Sequence, residues 1–152
     1  RLKDLNDHLM LFFTGISRFS SEVAKSQVSN MENCHPQMNE LRDMVDEGSS
    51  ILCNLNTPLE EFGKLLNRAW ENKKSLSNQI TNKKIDELYN TAIKAGAIGG
   101  KILGAGGGGF VLFFVKPGDQ GRVKKALSNL TYVPFKFENT GSKVVLYQPN
   151  GF

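Results

Sequence analysis

Apolar positions follow two different periods along the chain. Leu9-Met10-Leu11-Phe12-Phe13 is a short apolar run closed by Thr14-Gly15, which reads as a strand ending in a turn. From there to Gly96 the spacing is helical. Ser20 or Ser21 is placed to cap a helix with Glu22 in its first turn, and Val23 and Val28 give it a partial apolar face. His35-Pro36 opens a second helix, because proline suits a first helical position. Met38, Leu41, Met44, Val45, Ile51 and Leu52 continue it, with Gly48 as a weak point. Thr57-Pro58-Leu59-Glu60 combines an N-cap, a proline at the first helical position and a carboxylate three residues on. Leu59, Phe62, Leu65, Leu66, Ala69 and Trp70 then form one stripe at the helical period, which marks a core-facing side. Ile85, Leu88, Tyr89 and Ala92 predict a further helix closed by Gly96.

Beyond Gly96 the period shortens. Lys101-Ile102-Leu103 reads as a short strand, and Phe110 to Val115 as a strand buried on both faces, being unbroken apolar and rich in aromatic and β-branched residues. Pro117-Gly118-Asp119 turns into a helix carrying Val123, Ala126, Leu127 and Leu130. Val133, Phe135 and Phe137 alternate with Tyr132, Pro134 and Lys136, a half-buried strand that Pro134 pushes toward a sheet edge. Asn139-Thr140-Gly141 makes a turn, and Lys143 to Tyr147 is the last predicted strand. Strand, helices, strand, helix, strand, strand is an α+β order: a small antiparallel sheet of about four strands covered by helices.

Length and charge narrow the picture further. The 152 residues make one domain, 1–152, large enough for its own core. No apolar run approaches the roughly 18 residues needed to cross a bilayer, and Arg1 is followed by polar residues rather than a signal-peptide core, so no membrane partner is expected. The chain lacks an initiator Met, which suggests a fragment or processed chain. Net charge is +4, and the lysine pairs Lys73-Lys74, Lys83-Lys84 and Lys124-Lys125 are dispersed. A nucleic-acid footprint would be a concentrated stripe, so no nucleic-acid partner is expected either. Cys34 and Cys53 have no metal-ligand spacing and read as reduced thiols, which favours the cytoplasm, and no metal ligand is assigned.

The candidate chemistry lies between the two central strands. Gly104, Ala105, Gly106, Gly107, Gly108 and Gly109 place five glycines in six positions. Glycine can take φ > 0 and lets a backbone approach a ligand closely, and successive amides in such a turn can form an anion-binding concavity. Gly104-x-Gly106-x-x-Gly109 satisfies the dinucleotide-binding pattern, but that motif opens a helix and here a strand follows. The phosphate-loop pattern ends in Gly-Lys-Ser or Gly-Lys-Thr, and the only nearby lysine, Lys101, precedes the loop. Gly104 to Val111 also matches the protein-kinase glycine loop, yet no Val-Ala-Ile-Lys, His-Arg-Asp or Asp-Phe-Gly accompanies it. A flexible hairpin or bulge without a ligand is the alternative to an anion-binding turn. A second candidate follows the first strand: Thr14, Ser17, Arg18 and Ser20 offer hydroxyls for sugar hydroxyls and a planar fork for a phosphate, or else a helix cap beside a solvated arginine.

Lys101-Ile-Leu-Gly-Ala-Gly-Gly-Gly-Gly-Phe110 resembles the third motif of the GHMP kinases, the family of galactokinase and of homoserine, mevalonate and phosphomevalonate kinases. Leu103, Leu59-Glu60-Glu61-Phe62-Gly63, Trp70-x-x-Lys73-Lys74-x-Leu76 and Phe13-Thr14-Gly15-Ile16-Ser17-Arg18 resemble its D-glycero-D-manno-heptose 7-phosphate kinase branch. The resemblance covers essentially the whole chain. It implies the C-terminal domain of an ATP-dependent sugar kinase, which would phosphorylate the anomeric hydroxyl of a sugar phosphate on the way to a bacterial surface polysaccharide. It also implies that ATP and Mg²⁺ are held mainly by an N-terminal domain, because the family's Pro-x-x-x-Gly-Leu-Gly-Ser-Ser cradle does not occur here. On this reading the chain's partners are a sugar phosphate and that N-terminal domain. Gly104 to Gly109 close over the phosphates, Thr14, Ser17, Arg18 and Ser20 meet the substrate, no residue of this chain is catalytic, and the isolated chain is inactive. Valine at Gly106 or Gly108 should then reduce activity while leaving the fold intact. Other GHMP acceptors such as fucose or galactose, a non-catalytic anion-binding or regulatory domain, and an interaction domain presenting the helices around Trp70 remain as alternatives.

Overall fold

The computed structural model describes residues 1–17 and 19–144. In chain order the elements are α1 (Leu2–His8), β1 (Leu9–Phe13), α2 (Ser20–Ser29), a 3-10 turn (Met31–Asn33), α3 (His35–Cys53), α4 (Glu60–Ser75) and α5 (Lys83–Lys94). They continue with β2 (Ala97–Ile102), β3 (Phe110–Val115), a 3-10 turn (Pro117–Asp119), α6 (Gln120–Ala126) and β4 (Thr131–Val133). The four strands form one antiparallel sheet in the order β2-β3-β1-β4. The fold is α+β, as the change of period implies.

All of β1 pairs with β3, from Leu9 opposite Phe114 to Phe13 opposite Phe110. Successive strand side chains point to opposite faces, so β3 feeds two clusters. Val111, Phe113 and Val115 join Met10 and Phe12 in the larger cluster, under Trp70, Ile85, Tyr89, Val123 and Leu127. Phe114 joins Leu9, Leu5 and Leu59 on the other face. The apolar run of β3 is thereby explained by burial on both sides.

Helix α4 seats on β2 through glycines. A Cβ on Gly99 would lie 2.0 Å from the Gly63 carbonyl oxygen, and one on Gly63 would lie 2.7 Å from the Phe114 ring. Gly99 and Gly100, which the expected strand Lys101–Leu103 left out, are strand residues, because β2 runs from Ala97 to Ile102. Trp70 is fully buried, with its ring 6.0 Å from Tyr89, whose ring lies 5.5 Å from Phe113. The Tyr89 hydroxyl reaches Asn67 Oδ1 at 2.8 Å and the Gly100 carbonyl at 3.2 Å. Burial pushes its pKa well above the usual phenol value, so it remains a neutral donor across the physiological range.

Several element boundaries differ from expectation for local reasons. α4 begins at Glu60 with Leu59 as its cap residue rather than at Thr57, whose carbonyl accepts from Arg1 Nη2 at 2.7 Å, while the Glu61 and Phe62 amides donate to Pro58 O and Leu59 O. α2 starts at Ser20 itself after Phe19, with no side-chain cap from either serine. Gly48 does not break α3, since it is buried where α3 meets α4, and a Cβ there would stand 3.2 Å from Leu65 Cδ2. β4 stops at Val133 because Pro134 has no amide to continue the ladder, so Phe135 and Phe137 are not strand residues. Lys143 and Val144 are not in a strand, and the rest of that expected strand lies outside the described residues.

A bidentate ion pair ties α3 to α4, with Arg68 Nη1 and Nη2 donating to Glu47 Oε1 and Oε2 at 2.8 and 2.9 Å. The hydrogen bond from Arg68 holds the Glu47 carboxyl below the usual glutamate value, and the guanidinium charge adds to this. A depressed folded pKa gives stability that is present above the unfolded pKa and lost as pH falls through the folded one. The pair is exposed, so the effect is small and screened by salt. The expected outcome is that Glu47→Gln lowers the urea midpoint slightly at pH 7 and not at all at pH 3 or in 1 M NaCl. A difference that persisted at pH 3 would assign the effect to packing instead.

Candidate functional site

The glycine loop connects β2 to β3, closed at its base by the Leu103 amide donating to the Phe110 carbonyl at 2.8 Å. Gly104, Gly106, Gly107 and Gly109 have φ of +72°, +111°, +74° and +84°, values that only glycine adopts without strain. The loop is not a flexible tip. Gly106, Gly107 and Gly108 are buried between the residue 14–17 segment and the turn preceding α5. A Cβ on Gly106 would meet the Ile80 carbonyl oxygen at 2.8 Å, and one on Gly108 the Ile16 carbonyl oxygen at 2.5 Å. The Gly107 amide donates to Ile80 O at 2.7 Å and the Gly109 amide to Ile16 O at 3.0 Å. Among the described residues no acceptor meets the amides of Gly104, Ala105, Gly106 or Gly108.

The carbonyls of the loop are held from four directions. Lys73 Nζ, near the end of α4, donates to Gly104 O. Gln27 Nε2 on α2 donates to Ala105 O at 2.6 Å. Asn82 Nδ2 donates to Gly107 O at 3.3 Å while its Oδ1 caps α5 by accepting from the Ile85 amide at 3.1 Å. Thr14 Oγ1 donates to Gly109 O at 2.8 Å, and the Thr14 amide donates to the same oxygen at 2.8 Å. An ordered glycine loop with donors on its carbonyls and uncommitted amides suits an anionic group such as a phosphate.

The two candidate segments are brought together. Thr14 is buried and bonded to the loop, Ile16 packs on Gly108, and Ser17 follows it, exposed. Ser20 is exposed at the start of α2. Arg18 lies outside the described residues. A polar groove of about 470 Å³ opens beside Thr14, Gly15 and Ile16, with Lys84, Glu87 and Thr91 on its α5 side. Among the described residues no group of three or more His, Cys, Asp or Glu could hold a metal ion, and both cysteines are free thiols, Cys34 buried and Cys53 exposed. No described helix is long and apolar enough to cross a membrane. Sequence reasoning missed Gln27 and Asn82, which are single polar residues on or before helices. Lys73 sits in the Trp70-x-x-Lys73-Lys74 string, which was the available signal for it.

Comparison with known proteins identifies the family and the fold. A family profile described as GHMP kinases C terminal matches residues 53–133, just over half of the chain. D-glycero-alpha-D-manno-heptose 7-phosphate kinase of Campylobacter jejuni subsp. jejuni is 28% identical over 144 residues, which are 92% of this chain and 42% of that protein. The chain thus spans about two fifths of that relative's length. The crystal structure of a D-glycero-D-manno-heptose 1-phosphate kinase from Bacteroides thetaiotaomicron is 25% identical with a TM-score of 0.57, covering 90% of this chain and 34% of the other. The mevalonate kinase of Methanococcus jannaschii shares the fold with a TM-score of 0.74 at 24% identity, covering 90% of this chain and 42% of that one. The chain belongs to the GHMP kinases, as a C-terminal domain of that family.

Proposed function

We propose that residues 1–152 form the C-terminal domain of an ATP-dependent sugar kinase that transfers the γ-phosphoryl group to the anomeric hydroxyl of a heptose 7-phosphate, a step toward a nucleotide-activated surface sugar. The observation that carries this reading is the ordered loop itself, with four of its carbonyls held by side chains and four amides left uncommitted. The heptose acceptor is supported by the Campylobacter jejuni relative, and the wider set of sugar and mevalonate kinases supports phosphoryl transfer in general. In this proposal Gly104 to Gly109 contact the ATP phosphates, and Thr14, Ser17, Arg18 and Ser20 line the acceptor side. Thr14 acts there mainly by holding Gly109. Phosphoryl transfer rests on positioning and charge stabilisation, and Mg²⁺ supplies part of that charge. The family's Pro-x-x-x-Gly-Leu-Gly-Ser-Ser cradle does not occur in this sequence, so in this proposal ATP and Mg²⁺ fall chiefly to an N-terminal domain and the isolated chain is inactive. The exposed rings of Phe13 and Phe110, 5.1 Å apart at the base of the loop, give that domain an apolar surface to meet. ATP chemistry with reduced cysteines fits the cytoplasm.

The test is to express the full-length protein from its complete reading frame and to follow ADP release with D-glycero-D-manno-heptose 7-phosphate, fucose, galactose and mevalonate as acceptors. Turnover is expected with the heptose phosphate. Turnover with mevalonate alone overturns the acceptor, and ADP release with none of them favours a non-catalytic anion-binding domain.

A further inference from the structure

The four donors on the loop carbonyls come from four separate segments, α2, α4, the residue after β1 and the residue before α5, and reach four different peptide groups. Such a constellation is costly to assemble by chance. Glycine loses more conformational entropy on ordering than any other residue, so a loop with five glycines in six positions, held only by its own backbone, would be mobile. Two inward amides, from Gly107 and Gly109, anchor its far side to Ile80 and Ile16. Lys73, Gln27, Asn82 and Thr14 fix Gly104, Ala105, Gly107 and Gly109. A carbonyl oxygen near a phosphate repels it, whereas a carbonyl engaged by a donor is withdrawn and partly neutralised.

We propose that Gln27, Lys73, Asn82 and Thr14 are positioning residues that hold the glycine loop in one anion-receptive conformation before any ligand arrives. They act on the ligand only through the loop, and the proposal rests on the reading of that loop as a phosphate site. Gln27 and Lys73 test it best, because both are half-buried helix residues that are not themselves members of the buried core clusters. Thr14 is buried, and Asn82 also caps α5. Gln27→Glu keeps the size of the side chain and removes the donor, as the carboxylate only accepts. Lys73→Met removes the ammonium, and Lys73→Arg restores a donor.

Two measurements separate the outcomes. The first is amide hydrogen exchange of Gly107 and Gly109 in the chain without ligand, read by NMR. Gln27→Glu and Lys73→Met are expected to speed exchange at both glycines about tenfold while the melting temperature stays within about 2 °C of the parent, a shift under about 1 kcal/mol for a chain of this size. Lys73→Arg is expected to match the parent. Unchanged exchange in both loss-of-donor variants overturns the proposal, whatever the ligand does. The second is kcat/KM for ATP in the full-length protein, expected to fall about tenfold in the two variants and to recover in Lys73→Arg. Faster exchange with unchanged kcat/KM overturns the link from loop order to ATP use and leaves the kinase reading standing. A parent protein that uses ATP with no acceptor overturns the kinase reading while the exchange result still decides whether the donors order the loop.

Discussion

Gly106→Ala is expected to reduce ATP-dependent turnover of the full-length protein by roughly 100-fold or more, the scale associated with misplacing a reacting group by about 1 Å. The cause is local. At φ +111° an alanine is strained, and its Cβ would lie 2.8 Å from Ile80 O and 2.9 Å from Ile80 Cα, both backbone atoms that cannot rotate away. The loop must move, and the Gly107 amide would lose its acceptor on Ile80. A side chain at this position was expected to spare the fold. The packing argues otherwise: strain and a broken backbone bond together are expected to cost about 1–3 kcal/mol in stability, measured by urea unfolding of the 152-residue chain. Gly118→Ala is the control, since nothing lies within 4 Å of the added Cβ and its backbone is ordinary; it should leave both turnover and stability unchanged. Wild-type kcat/KM in Gly106→Ala would mean that the loop tolerates displacement and does not position the phosphates.

Much of this organisation was legible in the residues, and the gaps have physical causes. The stripe from Leu59 to Trp70 and the unbroken run from Phe110 to Val115 announced a helix and a doubly buried strand, because period and burial are coupled directly. Gly99 and Gly100 were left out of the expected strand because glycine gives no strand signal; α4 approaches Gly99 through Gly63, and β3 packs against Gly100 through Leu112 and Phe113. Thr57 resembled a cap, but Arg1, far away in sequence, takes its carbonyl. The loop as a candidate site was evident from its glycines. Its support was not, because Gln27 and Asn82 satisfy ordinary helix rules and reveal their second partner only once α2, α5 and the hairpin meet. Local signals thus located the loop, and long-range hydrogen bonds decide whether it is ordered.

Gly99→Ala should have the largest effect on stability of any single-methyl addition in the chain, about 3 kcal/mol or more, at the upper end of what overpacking costs. The added Cβ would stand 2.0 Å from the Gly63 carbonyl oxygen and 2.9 Å from the Asn67 amide nitrogen. Both belong to the α4 backbone, so no rotamer change relieves the contact and the whole helix must lift from β2. For a chain of this length such a loss lowers the melting temperature by about 6–12 °C, readable by circular dichroism. Gly121→Ala in α6 is the opposite case: it adds the same methyl into open space within a helix and should be neutral or stabilising by up to about 1 kcal/mol. The damage at Gly99 should also travel to the site, because α4 carries Asn67, which meets Tyr89, and Lys73, which holds Gly104. Exchange at Gly107 and Gly109 is therefore expected to accelerate in Gly99→Ala even at temperatures where the chain remains folded. A melting temperature within 1 °C of the parent would mean that α4 does not rest on β2 through these glycines, and the loop would then owe its order to its own bonds rather than to the helix behind it.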